Sequence, residues 1–302
     1  MQKKYALPGM FLLIAMMLFV SACGGSSQTA GQLIVNSSTA MKQIKAVHVA
    51  MTATINLAVS GTPGSSSTAS TPGNVNATAS VNGDEVLPDQ SSFKLTTSGI
   101  GKLAFAEITK GNQLYFQNAQ GQWYVIDKSK LSGTNNSSST LLSNASIPDF
   151  NKLLDLVQKD AQITDHGDQT LNGASLRHIT VTLDKNGLAQ LIENTGQLKG
   201  LTGVSQQSLN DMLNSVSNFS ASLDFWFDES TSYLHRFEIK LNMALNLNKF
   251  ATPTANSTTP SGFSLKADIV LDLSKFNDPS IKITAPANAI QTDNPGVIFG
   301  GA

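Results

Sequence analysis

The chain predicts an α+β fold, an antiparallel sheet of about ten strands curled toward an open or nearly closed barrel, with about four helices packed in its concave face. Two observations carry this expectation. Long segments alternate apolar and polar residues with period 2, and four shorter ones place apolar residues on one helical stripe. A third observation sets the layering. Most elements have a single apolar face, so helices must cover one side of the sheet while the other side stays wet. Strands this long twist and curl rather than lie flat.

In chain order, LIVNSSTAMKQI (33–44) sets Leu33, Ile34, Ala40, Met41 and Ile44 on one helical stripe. The period then changes. VHVAMTATINLAV (47–59) has apolar residues at every odd position, which is a long strand with one apolar face. NVNATASVNG (74–83) repeats the alternation on Val75, Ala77, Ala79 and Val81. It pairs with the first strand as a hairpin across the low-complexity loop 61–73. SFKLTTSG, KLAFAEIT, QLYFQN and QWYVID are shorter strands, the last three separated by KGNQ and NAQGQ as a meander. A Ser/Asn-rich loop occupies 129–146. IPDFNKLLDLVQKD (147–160) is a helix with Pro148 in its first turn and Phe150, Leu153, Leu154 and Val157 on one face.

Residues 161–184 form two strands around an Asp/Gly/Asn turn region, and DHGD (165–168) reads as a turn whose Asp side chains cap backbone amides. Two helices follow. The first carries Leu188, Leu191 and Ile192. The second starts near Ser205 and carries Leu209, Met212, Leu213 and Val216 at i, i+3, i+4 and i+7, after the Gly-containing connection TGQLKGLTG. In the last third, SASLDFWFDE and SYLHRFEIKLNMALNLN alternate around DESTS. Leu223, Phe225 and Phe227 share one face and Asp224, Trp226 and Asp228 the other. After the loop ATPTANSTTPSG, FSLKADIVLDLSKF is one more alternating strand and IKITAP a short final one.

The N-terminus has its own logic. Lys3 and Lys4 precede an unbroken apolar run, Met10 to Val20, and then Ser21, Ala22 and Cys23, the one cysteine of the chain. A basic start, a short apolar core and small residues at a cleavage point make a secretory signal. The run is shorter than the ~20 residues a membrane-spanning helix needs. VSAC resembles the bacterial lipobox, with Val20 in place of the commoner Leu. That resemblance implies diacylglyceryl transfer to the Cys23 sulfur and cleavage before it. The organisation expected is a lipoprotein signal peptide (1–22), a Gly/Ser tether (23–31), one domain (32–290) and a tail (291–302). A catalytic Cys23 is disfavoured, because a thiol on a Gly/Ser leader has no fixed base beside it.

Composition narrows the function. Charged residues are 14% of the chain and the formal charge is −1. No basic stripe is visible, which excludes nucleic acid as a partner. With Cys23 acylated no disulfide can form, so an exported fold must be held by its core. The four histidines, His48, His166, His178 and His235, make no HxxH or HExxH pair, so no metal or other cofactor is expected. GxSxG, Walker and GxGxxG motifs are also missing, and the expectation is a non-enzyme.

Several quoted features converge on a family likeness. They are the lipobox followed by a short helix and the VHVAMTATINL strand, and the meander with Tyr115, Trp123 and Tyr124. LNG…LRHITVTLD leads into helices, and the chain finishes with LDFWFDESTSYLHRFEIKL and DLSKFNDPSIKITAPANA. The pattern, spanning about residues 31–290, resembles the LppX/LprAFG lipoproteins and, more distantly, the LolA/LolB carriers. The resemblance implies a half-open antiparallel β-barrel with helices in its concavity and a cavity for the acyl chains of a lipid or glycolipid. The low-complexity loops 61–73, 129–146 and 251–261 depart from compact members.

The function expected is a membrane-anchored protein that binds acyl chains for lipid transfer in the cell envelope, on the outer side of the cytoplasmic membrane. Its partners would be the lipid, the membrane through Cys23, and an envelope transporter. Candidate cavity residues are Met51, Ile55, Leu103, Phe105, Leu154, Val157, Leu191, Leu209, Met212, Val216, Leu223, Phe225, Phe237, Ile239 and Leu241, each of which also suits an ordinary core. The alternative is an envelope sensor or protein-interaction lipoprotein of the same fold. Trp226 discriminates: exposed on the polar face it favours a protein partner, and buried it favours neither.

Overall fold

The computed structural model describes residues 28–60, 74–99, 101–133, 162–194, 211, 213–246 and 262–294. Cys23 and its leader, the helix expected at 147–160 with Leu154 and Val157, the Gly-containing connection after 194, Leu209, Met212 and the three long loops fall wholly or largely outside them.

Among the described residues twelve strands form one open sheet, rather than the ten or so expected. They are β1 (Ala46–Ser60), β2 (Val75–Val86), β3 (Gln90–Ser98), β4 (Ala104–Lys110), β5 (Gln113–Gln117), β6 (Trp123–Asp127), β7 (Gln162–Leu171), β8 (Ala174–Leu183), β9 (Val216–Phe227), β10 (Leu234–Asn246), β11 (Gly262–Ser274) and β12 (Ile290–Gln291). Their order is β12-β6-β5-β4-β3-β2-β1-β11-β10-β9-β8-β7. Every neighbouring pair is antiparallel except β12 with β6. β1 stands mid-sheet because it pairs with β2 on one side and β11 on the other.

Two predicted elements change character. IKITAP is not a strand: residues 281–286 carry no regular structure. Side-chain packing holds this segment instead. Ile283 is buried with Ile108, Tyr115 and Val125, with Ala285 and Ala289 alongside, and Lys110 donates to the Ile283 carbonyl at 3.2 Å. The chain joins the sheet only at Ile290, beside Tyr124. Val216 belongs to a strand and not to the predicted helix stripe, because it pairs with Leu245 at the start of β9. DHGD is also reassigned. Asp165 to Asp168 lie within β7 at a bulge, where Gly167 takes a φ of 72° and its N–H donates to the Asp165 carboxylate. The turn sits later, at Asn172 and Gly173, both with positive φ.

Two α-helices and one 3-10 helix (Lys128–Gly133) are described, together with helical residues 213–215 that run into β9. The first, α1 (Ala30–Met41), begins three residues before its apolar stripe. Thr29 and Gln32 form a capping box there, each side chain bonding the other's backbone amide. The second, α2 (Lys185–Asn194), is capped by Asp184, which accepts from the Gly187 amide at 2.7 Å. Both helices pack on the same face of the sheet, but at opposite ends of its long strands. Leu33, Ile34 and Met41 of α1 bury against Val47, Val49, Phe93, Leu271 and Leu273. Leu188 and Ala189 of α2 bury with Leu213, Val216 and Leu245, against half-buried Phe263.

Candidate functional site

The register of the central strands organises the apolar face into rows. One row runs Val81, Met51, Leu271, Phe237, Phe225, Ile179. The next runs Ala79, Ala53, Ile269, Ile239, Leu223, Val181, and the one after Ala77, Ile55, Ala267, Leu241, Ala221, Leu183. On the β2–β1–β11 side four of these positions are alanine, at 53, 77, 79 and 267. Short side chains lower the floor between the two helix-packed ends, and Ile55 among them is 41% exposed. At about 3.3 Å per residue, the stretch from Met51 to Leu57 is about 20 Å long, more than the ~15 Å hydrocarbon depth of one bilayer leaflet.

The predicted cavity residues therefore separate into groups. Leu223, Phe225 and Phe237 are buried core, with the Phe225 and Phe237 rings 5.0 Å apart. Met51, Phe105, Ile239 and Leu241 are half-buried against that core. Ile55 and Leu103 are exposed. Val216 is buried at the α2 end. Leu191 lies on α2, and only its backbone is described. Met51, Ile55, Ile239 and Leu241 share the central band, whereas Phe105 belongs to β4 further along the sheet.

The apolar face also carries polar groups that composition did not flag. On β4, Glu107 is flanked in register by Phe93 of β3 and Phe116 of β5, and is 4% exposed. Burial pushes its carboxyl up to about 7, against a weaker opposing pull from the Lys128 ammonium. Its Oε1 has no hydrogen-bond partner, nor has Oγ1 of buried Thr109 two residues on. Thr109 pairs with Ser91, which pairs with Glu85 of β2, another carboxyl raised by burial. Phe93 comes close because its other neighbour is Gly83, where a Cβ would meet the Ser92 carbonyl at 2.0 Å and the Phe93 ring at 2.6 Å. The available signal was the alternation Phe105, Glu107, Thr109. It was obscured because the intervening Ala106 and Ile108 are apolar as well, and Ile108 packs under the 281–289 segment.

On the opposite face, Asp224 is a buried hub. It accepts from Thr180 at 2.5 Å and bonds His178 Nε2 at 3.0 Å, with Lys240 Nζ 3.7 Å away. Burial raises its carboxyl, but these bonds and charges outweigh that and hold it below the usual range. Trp226 is only 8% exposed. Its ring stacks on His178 at 4.2 Å, His178 stacks on His166 at 4.4 Å, and the Arg236 guanidinium sits 5.9 Å from the indole. A buried Trp226 gives no support to a protein partner at this position. Among the described residues no three His, Cys, Asp or Glu side chains gather as a metal site, and no helix is long and apolar enough to cross a membrane.

No family model matches the chain, and no curated protein does. Solved structures are similar. LprF from Mycobacterium bovis matches over 85% of this chain and 97% of its own, at 15% identity and a TM-score of 0.40. Lipoprotein LppX from Mycobacterium tuberculosis matches over 84% and 97%, at 16% identity and a TM-score of 0.42. A putative outer membrane lipoprotein-sorting protein domain from Vibrio parahaemolyticus matches over 82% and 93%, at 11% identity and a TM-score of 0.24. The first two carry the names of the family that the sequence resembles.

Proposed function

We propose that this chain is a lipid-binding lipoprotein of the cell envelope, anchored through an acylated Cys23, that takes up acyl chains on the apolar face of its sheet and transfers them at the membrane surface, in exchange with an envelope transporter. The observation that carries this reading is the alanine-floored band around Ile55, apolar and partly exposed between the two helix-packed ends. Such a surface is costly to leave in water and suits a hydrocarbon chain. Each acyl CH₂ removed from water contributes about 0.8 kcal/mol, so a two-chain lipid gains roughly 25 kcal/mol in any dry site. The bilayer offers about the same, so a carrier need only match it, and the exchange is close to balanced. No bond is made or broken. A two-chain anchor at Cys23 holds the domain beside the bilayer that supplies its ligand, where one chain would hold it only marginally.

The test is uptake of a fluorescent fatty acid by the purified full chain and by Ala53→Phe and Ala267→Phe. A ring on the floor of the band should weaken uptake about tenfold or more, at roughly 1.4 kcal/mol per decade, with the unfolding midpoint little changed. Wild-type uptake by folded Ala53→Phe/Ala267→Phe would refute this placement of the ligand.

A further inference from the structure

The two ends of the sheet differ in charge. The register places the tails of β1, β3 and β10 and the heads of β2, β4, β9 and β11 at one rim. Among the described residues this rim (55–59, 74–78, 97–99, 101–104, 216–221, 242–246 and 262–267) carries Lys102 and Lys266, both exposed, and no carboxylate. Three of the six exposed large apolar side chains among the described residues, Ile55, Val75 and Leu103, stand there too. The opposite rim mixes acids, among them Asp84, Asp89, Asp127 and Asp278, with Lys45, Lys110 and Lys275. Resting on the anchored, lipid-binding reading above, we propose that the rim of Ile55, Val75 and Leu103 docks on an anionic bilayer surface, its apolar side chains entering the headgroup boundary while Lys102 and Lys266 meet lipid phosphates.

The rim is built rather than frayed. Leu103 is 49% exposed yet fixed to β3. The Thr97 N–H donates to the Leu103 carbonyl at 2.9 Å, the Leu103 N–H to the Thr97 hydroxyl at 3.1 Å, and that hydroxyl to the Gly101 carbonyl at 3.0 Å. Gly99, at a φ of 92°, lets β3 end close against β2, where a Cβ would meet the Asn76 carbonyl oxygen at 1.7 Å. Val75 pairs with Leu57, two residues beyond Ile55, so the band that runs from Met51 to Leu57 opens at this rim. Apolar side chains held in water among polar neighbours mark a contact surface. Charge decides which one. Lysines without acids are drawn to anionic lipid, each by about fivefold near the surface. The nearest carboxylate on these strands, Asp268, stands opposite Lys240. Asp184, Glu193 and Asp211 lie toward the α2 corner, and the Asp184 carboxylate caps that helix. The opposite rim, mixed in sign, has no such pull, so charge orients the domain. From Thr29 the chain runs six residues back to Cys23, at most about 20 Å, which keeps an anchored domain within reach of the headgroups.

The experiment reconstitutes the acylated full chain in vesicles of phosphatidylglycerol and phosphatidylcholine. A nitroxide label is read at Leu103→Cys, at Val75→Cys and, on the opposite rim, at Asp89→Cys, all three exposed positions. Cys23 is the one native cysteine, and its acylation leaves the new thiol alone to react. Labels at 103 and 75 should collide with dissolved oxygen more than with a water-soluble nickel chelate, and the label at 89 the reverse. Lys102→Gln/Lys266→Gln should lower the ratio of docked to undocked chain about 30-fold, and so should vesicles of phosphatidylcholine alone. Labels at 103 and 75 as open to the chelate as the label at 89 overturn the docking. If that chain still takes up a fluorescent fatty acid, the lipid reading stands without it. Spin–spin broadening at 103 in place of oxygen contact assigns the rim to a second copy and also overturns the proposal. A docked rim on a chain that refuses the fatty acid supports the docking and overturns the lipid reading.

Discussion

Replacing Glu107 by Gln isolates the largest electrostatic strain described in the fold. The two side chains are nearly isosteric, and the carboxyl lies on the apolar face with Phe93 and Phe116 beside it. Burial raises that carboxyl from 4.5 to about 7. Each pKa unit is 1.36 kcal/mol, so the ionised form is about 3 kcal/mol less favourable in the fold than in the unfolded chain. The sign follows from proton binding. Between pH 4.5 and 7 the folded protein holds a proton that the unfolded chain has released, so stability falls as pH rises. The loss is complete above 7 and nil below 4.5. Glu85, also raised by burial, has the same sign. His235 has the opposite sign, because burial lowers its pKa and stability is lost as pH falls below 6.5. Comparing wild type with Glu107→Gln cancels both. Urea unfolding of the two proteins at pH 4 and pH 8 should find Glu107→Gln gaining about 3 kcal/mol on wild type between those values. A difference independent of pH would refute the placement of Glu107 in a dry, apolar setting.

Gly83→Ala should destabilise by about 1–3 kcal/mol in urea unfolding, because the new methyl has nowhere to go between the Ser92 carbonyl and the Phe93 ring. Asp224→Ala should cost about 1–3 kcal/mol, since Thr180 and His178 lose their shared acceptor; Asp224→Asn, which keeps an acceptor, should cost less. Cys23→Ser should release the protein from the membrane pellet to the soluble fraction on cell fractionation, and retention in the pellet would contradict acylation at Cys23.

Period-2 alternation made the faces of β1, β10 and β11 legible, because one side of each is nearly all apolar and the register then lines those sides up. Where both periods fit, the sequence misled. Val216 lies at helical spacing from Leu209 and Leu213, yet its cross-strand partner Leu245 draws it into β9. Ile281 to Pro286 alternate like a strand, but Ile283 is worth more buried against Tyr115 and Val125 than in a ladder. The capping box that starts α1 at Ala30 lies outside the apolar stripe that announced the helix. Glu107 was hidden because β4 is apolar on both faces, so its alternation gave no side to the acid. The stack of His166, His178 and Trp226 needs a bulge in β7 and the β8–β9 register together, neither of which is written in any one segment.

The central claim is that the apolar face holds a lipid. Native mass spectrometry of the protein purified from a bacterial host, under conditions that preserve bound ligand, tests it most directly. Co-purified lipid in a fixed ratio to protein, lost in Ala53→Phe/Ala267→Phe, is the predicted result. Lipid-free protein that also refuses a fluorescent fatty acid would contradict it.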